Sequence, residues 1–324
     1  MTLQTLGAAT PTIDPPRSFF RVVDGVKLHW LEYGVPSART PVVLLHGLND
    51  SHLTWRQIAP ELARDRQVFA LDLPGHGLSD RPDAAYDLEW YTQLVARWME
   101  TCELSLVDVV GHSLGGGIAL MLLRVCRPRI RRLVLAAAGG LGKEIGLPLR
   151  LASLSRVAGI VERIGQPFMA IGTWLARIRW GSKLPQRHIY AMSALNARRG
   201  TARAFARTVR GLMDWKGQRH SFFLHAHLIE QLPPIAVLWG DRDHVVPITH
   251  GFALARRVEG VRFESLTGCG HDLHNEDPES FCRAVRDALD APSWPAMRLR
   301  AARAPAIQGA DRDRRTTPLV PLSS

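Results

Sequence analysis

Cysteine is scarce in this chain: four in 324 residues, Cys102, Cys126, Cys269 and Cys282, with no C-x-x-C or other short pairing. That spacing excludes a disulfide scaffold or a cysteine zinc site as the organising principle, and free thiols in a reducing compartment are expected. No run of eighteen apolar residues occurs, so no membrane-spanning helix is expected. The opening MTLQTLGAATPTIDPP has neither the basic segment nor the apolar core of a secretory signal, and a cytoplasmic setting is the default expectation. Acidic residues are also short, 30 against 41 Lys and Arg, leaving a formal charge of +11 and an isoelectric point near 10.3. Such an excess raises the question of an anionic partner. The rest is ordinary: 46 % apolar and 22 % charged, enough for one large domain with an insertion, or two domains.

Eight strand-like runs are present. SFFRVV and VKLHWLEYG flank Asp24-Gly25, a hairpin signal. VVLL (42–45), QVFALD (67–72), LVDVV (106–110), RLVLAA (132–137), IAVLW (235–239) and VRFESL (261–266) follow. The unbroken apolar character of the central runs suits strands buried on both faces of a parallel sheet. Between them, Leu88, Tyr91, Val95, Trp98, Met99 and Cys102 recur at helical spacing over 87–104. Alternating strand and helix predicts an α/β fold, a mostly parallel eight-stranded sheet flanked by helices.

Residues 141–232 interrupt this rhythm with helical patterns, no convincing strand, and fifteen Lys and Arg against four Asp and Glu. A helical insertion after the sixth strand is expected there. Leu147, Leu151, Leu154, Val157, Val161 and Ile164 form one stripe with Arg156 and Arg163 opposite, predicted to be buried over the mouth of a site. Arg199, Arg203, Arg207 and Arg210 form a ridge, read as a solvated face; no nucleic-acid motif accompanies it. Weak association of these arginines with an anionic lipid surface is a further expectation. The resulting division is an N-terminal extension (1–17), the first part of a core (18–140), the helical insertion (141–232), the second part of the core (233–290) and a disordered basic tail (291–324).

The chemistry centres on VVGHSLGGGIAL, residues 109–120. Each glycine costs a regular element about 0.5–1 kcal/mol relative to alanine, so the cluster around Ser113 needs a reason. G-x-S-x-G between a strand and a helix is the nucleophile elbow, a strained turn whose neighbours two residues away must lack side chains. Gly111 and Gly115 meet that need, and the helix start offers the Leu114 N–H to a developing negative charge. A serine hydroxyl needs a base and a group to orient that base. In chain order after Ser113, IAVLW runs into GDRDHVVP, with Asp241 and Asp243, and VRFESL runs into TGCGHD, with His271. Either aspartate could serve.

Taken together, VVLLHGLNDSHLTW, FALDLPGHGLSDRP, GHSLGGG, WGDRDHVVP and GCGH resemble the α/β-hydrolase superfamily, over roughly residues 18–290. Within it they are similar to the capped esterase, lipase and carbon–carbon hydrolase group. The resemblance implies an α/β-hydrolase fold with a helical cap, a cofactor-independent serine hydrolase, Ser113 as nucleophile and His271 as base. The W-G-x-x-D-x-x-x-P pattern falls on Trp239, Gly240, Asp243 and Pro247 and so favours Asp243 over Asp241. The H-G motif falls on His46 and Gly47 and makes Leu48 N–H the second oxyanion donor beside Leu114. Ser113 counts against epoxide hydrolases and haloalkane dehalogenases, which place Asp there, and Tyr190 is the cap's only tyrosine. His112 before the serine leans toward a carboxylic ester with an apolar acyl or alcohol part; carbon–carbon hydrolases of ring-cleavage products, perhydrolases or haloperoxidases, and a non-enzymatic ligand receptor remain alternatives.

Other candidates have quieter readings. His46, His76 and His112 are packing or turn residues, Asn49-Asp50-Ser51 is a turn or helix cap, and Cys269 packs its loop. His225 and His227 lack a third ligand, and no metal site is expected. Trp174, Trp180, Phe205, Met213 and Trp215 either line a pocket or hold the insertion together.

Overall fold

A computed structural model describes residues 14–179, 186–229, 231–294 and 297–300. The eight apolar runs become one sheet: β1 (Arg17–Val23), β2 (Val26–Tyr33), β3 (Val42–Leu45), β4 (Val68–Asp72), β5 (Val107–His112), β6 (Ile130–Ala136), β7 (Ile235–Gly240) and β8 (Arg262–Leu266). They lie in the order β1-β2-β4-β3-β5-β6-β7-β8. The first two pairings are antiparallel and the other five parallel. At the centre Leu44 stands opposite Ala70 on one side and Val110 on the other. All three are fully buried, as strands covered on both faces must be.

The first covering helices are α1 (Leu88–Thr101) and α2 (Leu114–Val125). The Asp87 carboxylate starts α1 by accepting the Trp90 N–H at 2.8 Å. Between β6 and β7 come α3 (Leu147–Ser153), α4 (Ser155–Ile164), α5 (Met169–Arg179), α6 (Gln186–Asn196) and α7 (Thr201–Leu212). A two-residue hairpin, Met213–Asp214 with Gly217–Gln218, follows them; it is too short to leave a period in the sequence. Then α8 (Thr249–Arg257) and α9 (Pro278–Asp290) complete the layers, α9 capped by Asp277 on the Ser280 N–H at 3.1 Å.

Three expectations are corrected. The stripe from Leu147 to Ile164 is two helices, because Leu154 leaves helical geometry at ψ 129°. Nor is it buried: Leu147, Leu151, Leu154, Val157 and Ile164 are all exposed, and only Val161 is half-buried. The inward side of α4 is made instead by Ala158 and Glu162, whose carboxylate accepts from Arg207 and Arg210 of α7, both at 2.8 Å. Consequently the arginine ridge is solvated only at Arg199, while Arg203, Arg207 and Arg210 are half-buried. Arg207 also reaches Asp83 and Arg203 donates to the Arg81 carbonyl, so the ridge ties the insertion to the core. Finally, the tail begins ordered: Arg298–Leu299 pairs with Val258–Glu259, and Trp294 sits under the Arg262 guanidinium at 4.0 Å.

Candidate active site

Four turns at the carboxyl ends of neighbouring parallel strands build the site, the edge where α/β sheets place their ligands. The turn after β5 carries Ser113, at φ 52° and ψ −113°. A non-glycine residue in that region costs of order 1–3 kcal/mol and persists only where its surroundings enforce it. Here they do. A Cβ on Gly111 would lie 2.5 Å from the Gly115 carbonyl oxygen, and one on Gly115 would lie 2.2 Å from the Leu45 carbonyl oxygen. The strand, the turn and the first residues of α2 therefore touch backbone to backbone, and the serine projects from the apex.

The structure brings Ser113, His271 and Asp243 together. His271 Nε2 lies 3.0 Å from Ser113 Oγ, and His271 Nδ1 lies 2.8 Å from Asp243 Oδ2. Asp243 has a fully buried side chain whose Oδ1 accepts from the Val245 and Val246 N–H groups at 2.8 and 2.9 Å. Since the carboxylate only accepts, Nδ1 carries the proton and Nε2 is free to accept from the serine hydroxyl. Asp241 is elsewhere: exposed, it accepts the Gly268 N–H at 2.7 Å and shapes the loop before His271.

Leu48 and Leu114 both border the hollow beside Ser113. The turn carrying Leu48 is drawn close, since a Cβ on Gly47 would stand 3.3 Å from Ser113 Cβ. His46 holds that turn by donating Nδ1–H to the Gly47 carbonyl at 2.8 Å and accepting the Leu73 N–H on Nε2 at 3.0 Å. Burial lowers its pKa, and burial pushes His76 down to about 3. Both are neutral packing groups. His112 donates Nε2–H to the His271 carbonyl oxygen at 2.9 Å, and burial, reinforced by repulsion from His271, lowers its pKa to about 4. This contact between the residue before the serine and the base's own backbone was not legible in the sequence.

The hollow, about 60 Å³, is mainly apolar, with Leu88, Leu114 and Val246 from the core and Leu149, Leu212 and Met213 from the insertion. Among the described residues no Lys or Arg lines it; its polar groups include Gln218 and exposed His220. A larger surface hollow of about 610 Å³ opens at the amino ends of β3, β4 and β5, the opposite edge of the sheet. Of the aromatic residues singled out above, Trp174 packs on Ile189 and Met192, Phe205 is half-buried, and Trp215 is an exposed platform under Arg150. Trp180 lies outside the described residues, and Tyr190 is exposed.

Among the described residues one group has the ligand proximity of a metal site: His29, His52 and Asp72, all buried. Its hydrogen bonds argue against that use. Asp72 Oδ2 accepts from both histidine Nδ1 atoms, at 2.7 and 2.8 Å, and from the Leu78 N–H at 2.8 Å, while Oδ1 accepts the His52 N–H at 2.6 Å. Burial opposes the charge, but these histidines outweigh it and hold the carboxyl well below its usual range. A saturated acceptor has little left for an ion. His225 and His227 lie on successive turns outside this group, and none of the four cysteines forms a disulfide with another, Cys269 being buried in its loop.

Comparisons agree with this architecture. An uncharacterized protein of Mycobacterium tuberculosis is 29 % identical over 287 residues, 86 % of this chain and 82 % of that one. A 2-hydroxy-6-oxo-2,4-heptadienoate hydrolase of Pseudomonas putida is 28 % identical over 265 residues, 78 % of this chain and 90 % of that one. The crystal structure of an enol-lactonase from Burkholderia xenovorans superposes with a TM-score of 0.70 at 20 % identity, over 84 % of this chain and 99 % of that one. The model of the alpha/beta hydrolase family matches residues 42–284, from β3 into α9, a span that takes in the serine turn, both aspartates and His271. With that match over three quarters of its length, the chain belongs to the alpha/beta hydrolase family.

Proposed function

We propose that the protein is a serine hydrolase of neutral carboxylic esters with an apolar acyl or alcohol part, and that the helical insertion is its cap. Ser113 Oγ attacks the ester carbonyl while His271 Nε2 takes its proton, and Asp243 stabilises the imidazolium that forms. The Leu48 and Leu114 amides hold the oxyanion. His271 then gives its proton to the leaving alkoxide, and a water, deprotonated by the same nitrogen, releases the acid and frees Ser113. No metal or organic cofactor enters these steps.

The observation that carries this reading is the contact of Ser113 with His271 at the floor of a mainly apolar hollow lined by no Lys or Arg among the described residues. A second reading, hydrolysis of a carbon–carbon bond, is favoured by the name of the Pseudomonas putida relative. Its substrate, as that name gives it, is a carboxylate, and a buried carboxylate needs a partner. The hollow supports the ester for that reason. The test is a panel of neutral esters of increasing acyl length with Ser113→Ala as the blank, together with labelling by a fluorophosphonate. Wild type is expected to hydrolyse esters and take the label, and the variant to lose both by several orders of magnitude. Wild-type protein that does neither would overturn the reading and favour a ligand receptor.

A further inference from the structure

Helix α4 is inside out by the usual standard of a surface helix, which turns its apolar stripe to the core. Its inward contacts run through Ala158 and the ion pairs of Glu162, while Ile160 and Ile164 are 58 and 63 % exposed. The same holds on both sides of it. Leu147 and Leu151 of α3 face solvent, Phe168 in the turn before α5 is 63 % exposed, and Ile171 and Leu175 on α5 follow at 55 and 52 %. Leu149 of α3 and Trp174 of α5 turn inward, but each of three consecutive helical segments leaves several large apolar side chains in water, which marks an interaction surface.

Charge decides among the occupants. Residues 147–187 hold seven Lys and Arg and one acid, Glu162, which Arg207 and Arg210 already neutralise. Arg156 and Arg163 on α4 are exposed and have no carboxylate partner among the described residues. A second copy of the chain would bring the same positive charge against this face. The segment 301–324, with four arginines against two aspartates, would do so too. Apolar side chains fringed by cations match a bilayer with anionic headgroups, where the apolar groups enter the acyl boundary and the cations stay at headgroup level.

We infer that the outer face of α3, α4 and α5 docks on an anionic lipid bilayer. The surface adjoins the site, because α3 also places Leu149 in the hollow beside Ser113. One helix separates the lipid phase from the proposed acyl pocket.

The experiment is flotation of the full-length protein with phosphatidylcholine vesicles and with vesicles containing one third phosphatidylglycerol, at low and high salt. No substrate is used, so the result is independent of the ester reading. Wild type is expected to float with the anionic vesicles and to be released at least tenfold by salt. Ile160→Glu with Ile164→Glu should lose binding at least tenfold. Arg156→Gln with Arg163→Gln should lose binding severalfold on anionic vesicles only. Circular dichroism spectra and urea melts verify that each variant is folded. Wild type that stays with the unbound fraction, or glutamate variants that float as well as wild type, would overturn the inference. So would a wild-type dimer that the glutamate pair dissociates in the absence of lipid, since the face would then belong to a second copy.

Discussion

His271 Nδ1 stands 2.8 Å from Oδ2 of Asp243, on a carboxylate whose other oxygen is already gripped by two backbone N–H groups. The carboxylate cannot turn away without abandoning those amides, so the imidazole is held in one tautomer. An amide in its place could donate where acceptance is needed. Asp243→Asn is therefore expected to lower kcat on the order of 10⁴-fold, the loss seen when a protease triad suffers the same change. Asp241→Asn, at an exposed position whose carboxylate accepts the Gly268 N–H in its loop, should cost less than tenfold. Equal losses in two folded variants would remove the assignment, and a loss confined to Asp241→Asn would reverse it.

The serine turn makes a stability prediction that does not depend on any substrate. A Cβ on Gly115 would meet the Leu45 carbonyl oxygen at 2.2 Å, a fixed backbone atom in the middle of the sheet. One on Gly117, two residues along α2, finds nothing nearer than 3.6 Å. Gly115→Ala should lose about 3 kcal/mol or more, or fail to fold, as overpacked and strained sites do. Gly117→Ala should instead gain about 0.5–1 kcal/mol from helix propensity. Urea titrations of both variants measure the difference. A Gly115→Ala protein as stable as wild type would show that the turn is not enforced by this contact.

Acidification should unfold the protein through its buried histidines. The His112 pKa, lowered to about 4 chiefly by burial, means that the unfolded chain takes up a proton below about 6.5 that the native state refuses. The stability this provides is complete above pH 6.5 and drains away as pH falls toward 4. His46 and His76 act in the same direction, as does Asp72 at lower pH. Asp108, raised to about 6 by burial despite its Arg131 partner, acts in reverse and is outnumbered. Between pH 7 and 5, His112 alone should remove roughly 2 kcal/mol. His112→Asn, whose side chain can still donate to the His271 carbonyl, should flatten the pH dependence of the urea midpoint by that amount. Parallel curves for wild type and variant would refute it.

These predictions rest on features that differ in how far the sequence reveals them. The eight strands are legible because the central ones are buried on both sides, so Val42–Leu45 and Val68–Asp72 read as unbroken apolar runs. The serine turn is legible because its sterics demand glycine at two fixed positions. The insertion is legible as helix, but its orientation is not. Period 3.6 in Leu147–Ile164 says that one side is apolar and is silent on whether protein covers that side. What turned α4 over was Glu162 pairing with Arg207 and Arg210, some 45 and 48 residues away in sequence. The His29–Asp72–His52 network is hidden for the same reason: a sheet pairing and a turn bring it together, and no local spacing records it.

The hollow beside Ser113 yields the sharpest discrimination between the two hydrolytic readings. Its walls are mainly leucine, methionine and valine with Gln218 and exposed His220 as polar groups, and no described Lys or Arg faces an acyl group placed there. Each methylene buried against such walls contributes up to about 0.8 kcal/mol, so kcat/KM should rise severalfold per carbon from acetate until the small space is full. A terminal carboxylate on the same acyl chain would be desolvated without a counter-ion, at a cost of several kcal/mol. The half-ester of a dicarboxylic acid should therefore react at least about 10²-fold more slowly than the neutral ester of equal length. Leu149→Ala, which removes bulk from the α3 wall, should move the best acyl length upward without helping the carboxylate. Introducing a cation by Leu212→Arg should narrow the gap between charged and neutral substrates. A wild-type enzyme that prefers the half-ester, or that cleaves a 2-hydroxy-6-oxo-dienoate faster than any neutral ester, would replace the ester reading with carbon–carbon bond hydrolysis.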